Sequence, residues 1–360
     1  MRVALMNPVF WPEVRRGSER FARGLADGLL EGGHDVCLIT SHPRDVGTRV
    51  EDGLVVQRVW RPPWESRLRR RLHEEHLAHV PFAALAVRRF DPDVAHALYV
   101  TDAVAALHAK RTTGRPVVFS YMGIPHRTSL ANRRGRKELV VQACREADAV
   151  VALSAVAAAG FTHWLGVTPR TIAPGVDLVA FTPDPAVRAA EPTILCAGDH
   201  AQPRKRVGLL VEAFELLRRD VPDARLVLSG RPSGPSRWAG TPGVEERALD
   251  DRDALARANR EAWVHALPSV GEAFGLVLAE ALACGTPVVG ANAEVVGGPA
   301  TGRCFDAREE SAAVLTEVLR ATLELARDPH TAVACRAHAD RFSNHATTAA
   351  YVRLYKEVGA

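Results

Sequence analysis

The chain lacks any 18-residue apolar run, so nothing in it reads as a membrane-spanning helix. Its opening, Arg2-Val3-Ala4-Leu5-Met6, reads as a strand without the zones of a signal peptide. Cysteine is sparse: Cys37, Cys144, Cys196, Cys284, Cys304 and Cys335 are scattered, mostly in apolar segments, with no C-x-x-C. This spacing argues against disulfides and thiolate metal sites, and predicts buried thiols in a reducing cytoplasm. An excess of one charge is also missing. The 46 Lys and Arg against 42 Asp and Glu leave a net +4, too small to imply nucleic-acid binding by itself. Lysine is scarce beside abundant Ala, Arg and Val, a composition expected of a GC-rich bacterial genome. Solenoid repeats and low-complexity tracts are absent.

Apolar material is ample, at 47% of 360 residues, and a prior of about 150 residues per domain predicts two domains. In the first half, strands are predicted at Val3–Met6, Asp35–Thr40, Leu54–Val59, Val94–His96, Val117–Tyr121 and Ala149–Leu153. An amphipathic helix over Ser18–Leu30 is closed by Gly32-Gly33. Pro174-Gly175-Val176-Asp177 opens a Pro-rich stretch, the linker candidate. The rhythm then restarts, with strands at Thr193–Ala197, Arg225–Ser229, Trp263–Leu267 and Pro287–Gly290. Helices fit Arg206–Arg219, Ala254–Glu261, Phe274–Ala283 and Glu310–Ala326. Short apolar strands alternating with helices predict an α/β protein of two Rossmann-like domains around a crevice. Ligands are then expected at the carboxyl ends of the strands. The expected boundaries are 1–180, 181–340 and a last helix over 341–360, with Ser343 as its N-cap and Tyr351, Leu354, Tyr355 and Val358 at helical spacing.

The stretch Pro268–Gly290 holds the most chemistry. Glu272 and Glu280 bracket seven residues across a loop-to-helix junction, with the helix expected to start near Phe274 or Gly275 and stop at Gly285-Thr286-Pro287. Eight steps of about 1.5 Å put the carboxylates roughly 12 Å apart. That exceeds the roughly 5–9.5 Å of an acid and base flanking one glycosidic bond. The pair suits an elongated ligand instead, with the amides of Phe274, Gly275 and Leu276 between them offering a helix N-terminus to an anion. Arg204-Lys205-Arg206, after Gly198, adds three cations at a second strand-to-helix junction, and these suit a diphosphate.

The run from Glu272 to Glu280 resembles the E-x7-E signature of the GT4-type family of retaining, nucleotide-sugar-dependent glycosyltransferases, which have the GT-B fold. The resemblance extends nearly end to end. It implies that the last helix crosses back to the first domain. It also implies that the first domain binds the acceptor and that the donor is held through Gly17 of the first domain and Arg204, Lys205, Glu272, Ala273, Phe274, Gly275, Leu276 and Glu280 of the second. Glu272 would meet the sugar and Glu280 the ribose. Glu272, Lys205 and His96 are the implied catalytic residues, His96 lying at the end of Asp93-Val94-Ala95-His96, which resembles a family strand that ends near the donor sugar or the acceptor. Three positions depart from the family pattern. Asp199 stands where the family has Arg, Arg16 replaces the first Gly of a Gly-Gly-x-Glu turn, and Met122 stands where a Thr-x-His-Gly strand end carries its His. His126, four residues on, is the substitute expected near the acceptor.

The implied reaction moves a hexose from a nucleoside-diphosphate sugar to an acceptor hydroxyl, with no metal or other cofactor. No Asp-x-Asp motif stands within the Arg204–Arg206 or Glu272–Glu280 runs. The alternatives are a non-catalytic nucleotide-sugar-binding partner protein, or a sugar-nucleotide epimerase or phosphorylase on the same fold. Donor base, sugar and acceptor (glycan, lipid-linked or small molecule) stay open. Two basic clusters remain. Trp60, Trp64, Arg67, Arg69, Arg70 and Arg71 form one, and Arg127, Arg133, Arg134, Arg136 and Lys137 the other. Peripheral contact with an inner membrane face through Arg67–Arg71 is one reading of the first; a soluble anionic acceptor or a solvated face are the others.

Overall fold

The computed structural model describes residues 1–14, 17–65, 73–230, 237–238 and 240–360. Arg16, Arg67, Arg69, Arg70 and Arg71 therefore lie outside the described residues. The chain divides into two compact units, Met1–Gly175 with Asn344–Ala360, and Val176–Ser343. The division falls at the Pro174–Asp177 stretch, a few residues from the expected 180 and 340.

The first unit runs β1 (Arg2–Met6), α1 (Gly17–Glu31), β2 (Asp35–His42), β3 (Gly47–Glu51), β4 (Leu54–Trp60), α2 (Val80–Phe90) and β5 (Val94–Ala97). It continues through α3 (Val100–Thr113), β6 (Val117–Tyr121), α4 (Arg127–Ala131), α5 (Arg136–Glu146), β7 (Ala149–Ala152), α6 (Ala155–Leu165) and β8 (Arg170–Thr171). Its sheet has the order β3-β4-β2-β1-β5-β6-β7-β8, parallel throughout except for the β3–β4 hairpin at one edge. Alternate residues of one strand feed two layers, as the period of two demands. Val3 and Leu5 of β1 pack with Phe21, Leu25 and Leu29 of α1, while Ala4 and Met6 pack with Ala83 and Val87 of α2. Both faces are covered, so these strands read as continuous apolar runs.

The second unit contains β9 (Thr193–Cys196), α7 (Val207–Leu217), β10 (Arg225–Ser229), β11 (Val244–Arg247), α8 (Arg252–Glu261) and β12 (Val264–Leu267). Then follow α9 (Leu276–Ala283), β13 (Val288–Gly290), α10 (Ala293–Val296), β14 (Gly302–Cys304), α11 (Ala312–Leu325) and α12 (His330–Ala339). Every neighbouring pair in the order β11-β10-β9-β12-β13-β14 is parallel. This is the doubly wound order of a Rossmann sheet, with its reversal between β9 and β12.

The last helix, α13 (Asn344–Glu357), belongs to the first unit and lies against α1. Tyr351, Leu354 and Tyr355 enter the same core layer as Val3, Leu5 and α1. Close approach is possible because α1 presents Gly28 there. A Cβ at Gly28 would collide with the Thr348 hydroxyl and come within 3.2 Å of its Cβ. All six cysteines are free thiols, five of them buried, and among the described residues no helix is long and apolar enough to cross a membrane.

Candidate active site

In an open parallel sheet, the loops leaving neighbouring strands diverge where the strand order reverses, which opens a cleft at the carboxyl ends. In the second unit those loops follow β9 and β12. They carry Arg204, Lys205 and Glu272.

The β9 loop is held from below. The Ala197 amide donates to Nε2 of His265 at 3.3 Å, which leaves Nδ1 to donate to Asn259 Oδ1 at 2.8 Å, with both side chains buried. At Gly198 a Cβ would stand 3.2 Å from Leu267 Cδ1 and 3.6 Å from Lys205 Cβ, so the missing side chain lets the loop fold close over β12. Asp199, the residue that replaces the family Arg, accepts from the Ala201 amide at 3.0 Å and from Gln202 Nε2 at 2.9 Å. It closes the turn, a usual task for an Asp two residues before an amide. A 3-10 turn over Pro203–Lys205 leads to Arg206, which adopts φ 53° before α7 begins. Its guanidinium donates to the carbonyls of Ala307 and Glu309. Of the three cations in sequence, Arg206 is thus a clamp within the fold, and Arg204 and Lys205 are the two that meet Glu272.

The β12 loop approaches from the other side, where the Val270 amide donates to the Arg204 carbonyl at 2.8 Å. Oε2 of Glu272 accepts from Lys205 Nζ at 2.6 Å and from Arg204 Nη1 at 3.4 Å. Burial alone would raise the Glu272 carboxyl; the Lys205 ammonium and, less strongly, the Arg204 guanidinium outweigh it and hold the group below the usual range. At Gly275 the chain turns with φ 99°, a conformation that favours glycine, so α9 starts at Leu276, slightly later than expected. No side chain caps α9, which leaves its first amides and its dipole to an anion.

The ends of this loop are fixed by residues that the sequence analysis passed over. Asn292 Nδ2 donates to the Phe274 carbonyl at 3.0 Å, while its Oδ1 accepts from the Glu294 amide and caps α10. Asn two residues after the strand β13 was the signal that could have found it. The Phe274 ring is buried edge-on to Phe342, with centroids 5.2 Å apart. Ala273 and Glu280 are buried as well. Only the second half of the eight-step spacing between Glu272 and Glu280 is helical, so a rise of about 1.5 Å per residue does not carry across the whole run.

The first unit treats its candidates differently. His96 is correctly expected at the end of β5, but not facing a crevice: the ring is wholly enclosed. Its Nδ1 and Nε2 are 2.7 Å from the hydroxyls of Tyr355 and Ser120, and the Tyr351 hydroxyl lies 3.0 Å from Ser120 Oγ. Burial pushes its pKa down to about 3, so it is a neutral ring. This removes His96 from the groups able to touch a ligand and makes it the polar anchor of α13. His126 is exposed and caps α4, accepting from the Ser129 amide at 3.2 Å. Met122 is half-buried against the layer that holds Val3 and Leu5. Gly17 is the first residue of α1, with open space where a Cβ would be. In the second basic cluster, Arg136 and Arg133 are drawn to Glu74 and Glu75. Among the described residues no three His, Cys, Asp or Glu side chains converge to hold a metal.

Comparison with known proteins agrees with this architecture. The description Glycosyltransferase Family 4 matches residues 15–179, and Glycosyl transferases group 1 matches residues 191–323. A phosphatidyl-myo-inositol mannosyltransferase from Propionibacterium freudenreichii is 31% identical over 309 residues, covering 81% of this chain and 77% of that protein. Among solved structures, a sucrose-phosphate synthase from Thermosynechococcus elongatus superposes with a TM-score of 0.80 at 20% identity, over 99% of this chain and 98% of that one. HepE from Anabaena, in complex with UDP-glucose, gives 0.74 at 16% identity, over 99% and 100%. With its two parallel α/β sheets and these matches in both halves, the chain is a glycosyltransferase of the GT-B fold and belongs to family 4.

Proposed function

We propose that the protein transfers a hexose, with retention at the anomeric carbon and without a metal ion, from a nucleoside diphosphate sugar to an acceptor hydroxyl. The observation that carries this reading is the Glu272 carboxylate held by Lys205 and Arg204 at the reversal of the second sheet. Two cations and an uncapped helix start supply the positive charge that a metal would otherwise bring to a departing diphosphate. The relative from Propionibacterium is named for mannose and HepE holds UDP-glucose, which supports a hexose on a nucleotide.

In the reaction, the bond from the anomeric carbon to the diphosphate oxygen breaks and its electrons leave with the diphosphate. Lys205 and Arg204 stabilise that charge while Glu272 meets the sugar hydroxyls. The acceptor oxygen bonds to the anomeric carbon on the face the diphosphate leaves, and its proton passes to the departing oxygen. Phe274, held through Asn292, fixes the loop that presents Glu272.

The test is incubation with UDP-, GDP-, ADP- and dTDP-hexoses, with release of nucleoside diphosphate measured beside a Glu272→Ala control and binding followed by calorimetry. Release from one donor, lost in the control, supports the reading. A panel that neither binds nor is hydrolysed refutes the donor site, and conversion of the donor to an epimer replaces transfer with isomerisation.

A further inference from the structure

Phe274 lies two residues after Glu272 and directly before the Gly275 turn, so its place sets both the carboxylate and the first amides of α9. Its carbonyl is held by Asn292, and its ring by Phe342, a residue the transfer chemistry leaves unused. Phe342 is buried and closes the 3-10 turn Asp340–Phe342 that follows α12. The same stretch of chain holds the other end of α9. Nη1 of Arg336 donates to the Ala283 carbonyl at 3.2 Å and to the Leu178 and Phe181 carbonyls at 3.1 and 3.0 Å. Between Arg336 and Phe342, His338 sets its ring edge-on to Phe342 with centroids 5.4 Å apart. Its Nε2 donates to the Glu294 carbonyl at 3.1 Å, in the helix that Asn292 caps. Helix α12 and its closing turn thus fasten α9 at the C-terminal end through a carbonyl and at the N-terminal end through one pair of rings.

Phe342 also stands where the second unit ends. That unit spans Val176–Ser343, so the chain enters it at Val176 and leaves it at Ser343. These two residues pair as a β-bridge, and the Val176 amide donates to the Phe342 carbonyl at 2.7 Å. One residue therefore carries both the ring that seats the donor loop and the carbonyl that joins the two crossings. We infer that Phe342 is a positioning residue for the transfer reaction, coupling the Phe274–Gly275 turn to the crossings. An occupied α9 start tightens the Val176–Phe342 pairing, and loss of the ring contact misplaces Glu272 and the α9 amides. This rests on the reading that a diphosphate binds at the start of α9.

Calorimetry with UDP, GDP, ADP and dTDP tests it, beside donor hydrolysis and hydrogen exchange followed by mass spectrometry over the peptide containing Val176. Phe342→Leu keeps an apolar side chain in place and removes the ring edge. The expected result is a nucleotide Kd raised roughly two- to tenfold, the size of an edge-on ring pair. Turnover in donor hydrolysis falls about tenfold or more, since small displacements of reacting groups cost more in rate than in binding. Bound nucleotide slows Val176 exchange in the parent and has little effect in the variant. Adding Phe274→Leu changes little further, because both substitutions remove the same contact. Leu217→Ala, a core truncation at the far end of α7, controls for lost stability: it lowers the melting temperature and leaves nucleotide Kd and the exchange response as in the parent. A parent that binds none of the four nucleotides refutes the donor site and this inference with it. A parent that binds one overturns the inference alone if Val176 exchange ignores the nucleotide, or if Phe342→Leu binds and turns over as the parent does. Fully additive effects of the two leucine substitutions, or an equal loss of affinity in Leu217→Ala, overturn it as well.

Discussion

Lys205→Ala removes the more buried of the two cations that pair with Glu272 and face the leaving group in the proposed reaction. In the free protein its ammonium is 2.6 Å from Glu272, and both side chains are mostly buried. Loss of a preorganised charge aimed at a developing anion costs on the order of 10²–10³ in turnover, about 2.7–4 kcal/mol. The stability cost is smaller. Stripping the partner from a buried carboxylate costs about 3–5 kcal/mol when nothing replaces it. Arg204 remains 3.4 Å away and half-exposed, however, so a cost of about 1–2 kcal/mol is expected. The sign of the pH effect follows from the same pair. Glu272 is held below the usual range, so its pairing stabilises the fold above the unfolded value of about 4.3 and is lost as pH falls through the folded pKa. In the variant, burial is opposed by Arg204 alone, so the carboxyl titrates higher and the acid loss begins at higher pH. Donor hydrolysis or transfer, measured beside a carbon-13 titration of Glu272, checks both effects. A fall in turnover below about fivefold in a folded variant would refute the leaving-group role, as it lies far under the expected range.

Three further outcomes follow from the geometry. Gly275→Ala should cost about 1–2 kcal/mol in denaturant unfolding, because φ 99° strains an L side chain while the nearest atom to the new Cβ, at 3.6 Å, leaves room; an unchanged midpoint would contradict this. His96→Gln should destabilise by about 1–3 kcal/mol through its two hydroxyl partners, with activity of the folded fraction retained. The His96 ring stays neutral down to about pH 3 in the fold but protonates near 6.5 when unfolded, so its burial favours the folded state only above that window. It therefore makes parent stability fall with acid by about 1.4 kcal/mol per pH unit between those values. Urea midpoints at pH 7 and pH 5 should differ less in the variant, and equal pH dependence would remove His96 from the account. Gly28→Ala should lower the melting temperature by pushing α13 off α1, and adding Thr348→Ala should restore part of the loss, a coupling that a double-mutant cycle reads directly.

The alternation of short apolar strands with helices determined the two parallel sheets, because a strand buried on both faces must be apolar at nearly every position. For the same reason it could not say which way a polar residue in such a strand faces. His96 was legible as a strand-end residue, and only the pairing of β5 with β6 and the docking of α13 decided that Ser120 and Tyr355 occupy its two nitrogens. Local spacing likewise identified Glu272, Glu280 and the Arg204–Arg206 run. The direction of each cation depends on what the next loop brings near, here Glu272 for Lys205 and the Ala307 and Glu309 carbonyls for Arg206. Asp199 and Asn292 act through backbone groups on their own or neighbouring loops. The edge-on contact of the Trp60 and Phe82 rings joins the end of β4 to α2, twenty residues on, and sequence spacing alone carries no signal for it. Chain-local periodicity and motif chemistry were thus present in the sequence, whereas side-chain facing, pairing and exposure came from long-range packing, which places atoms together irrespective of their distance along the chain.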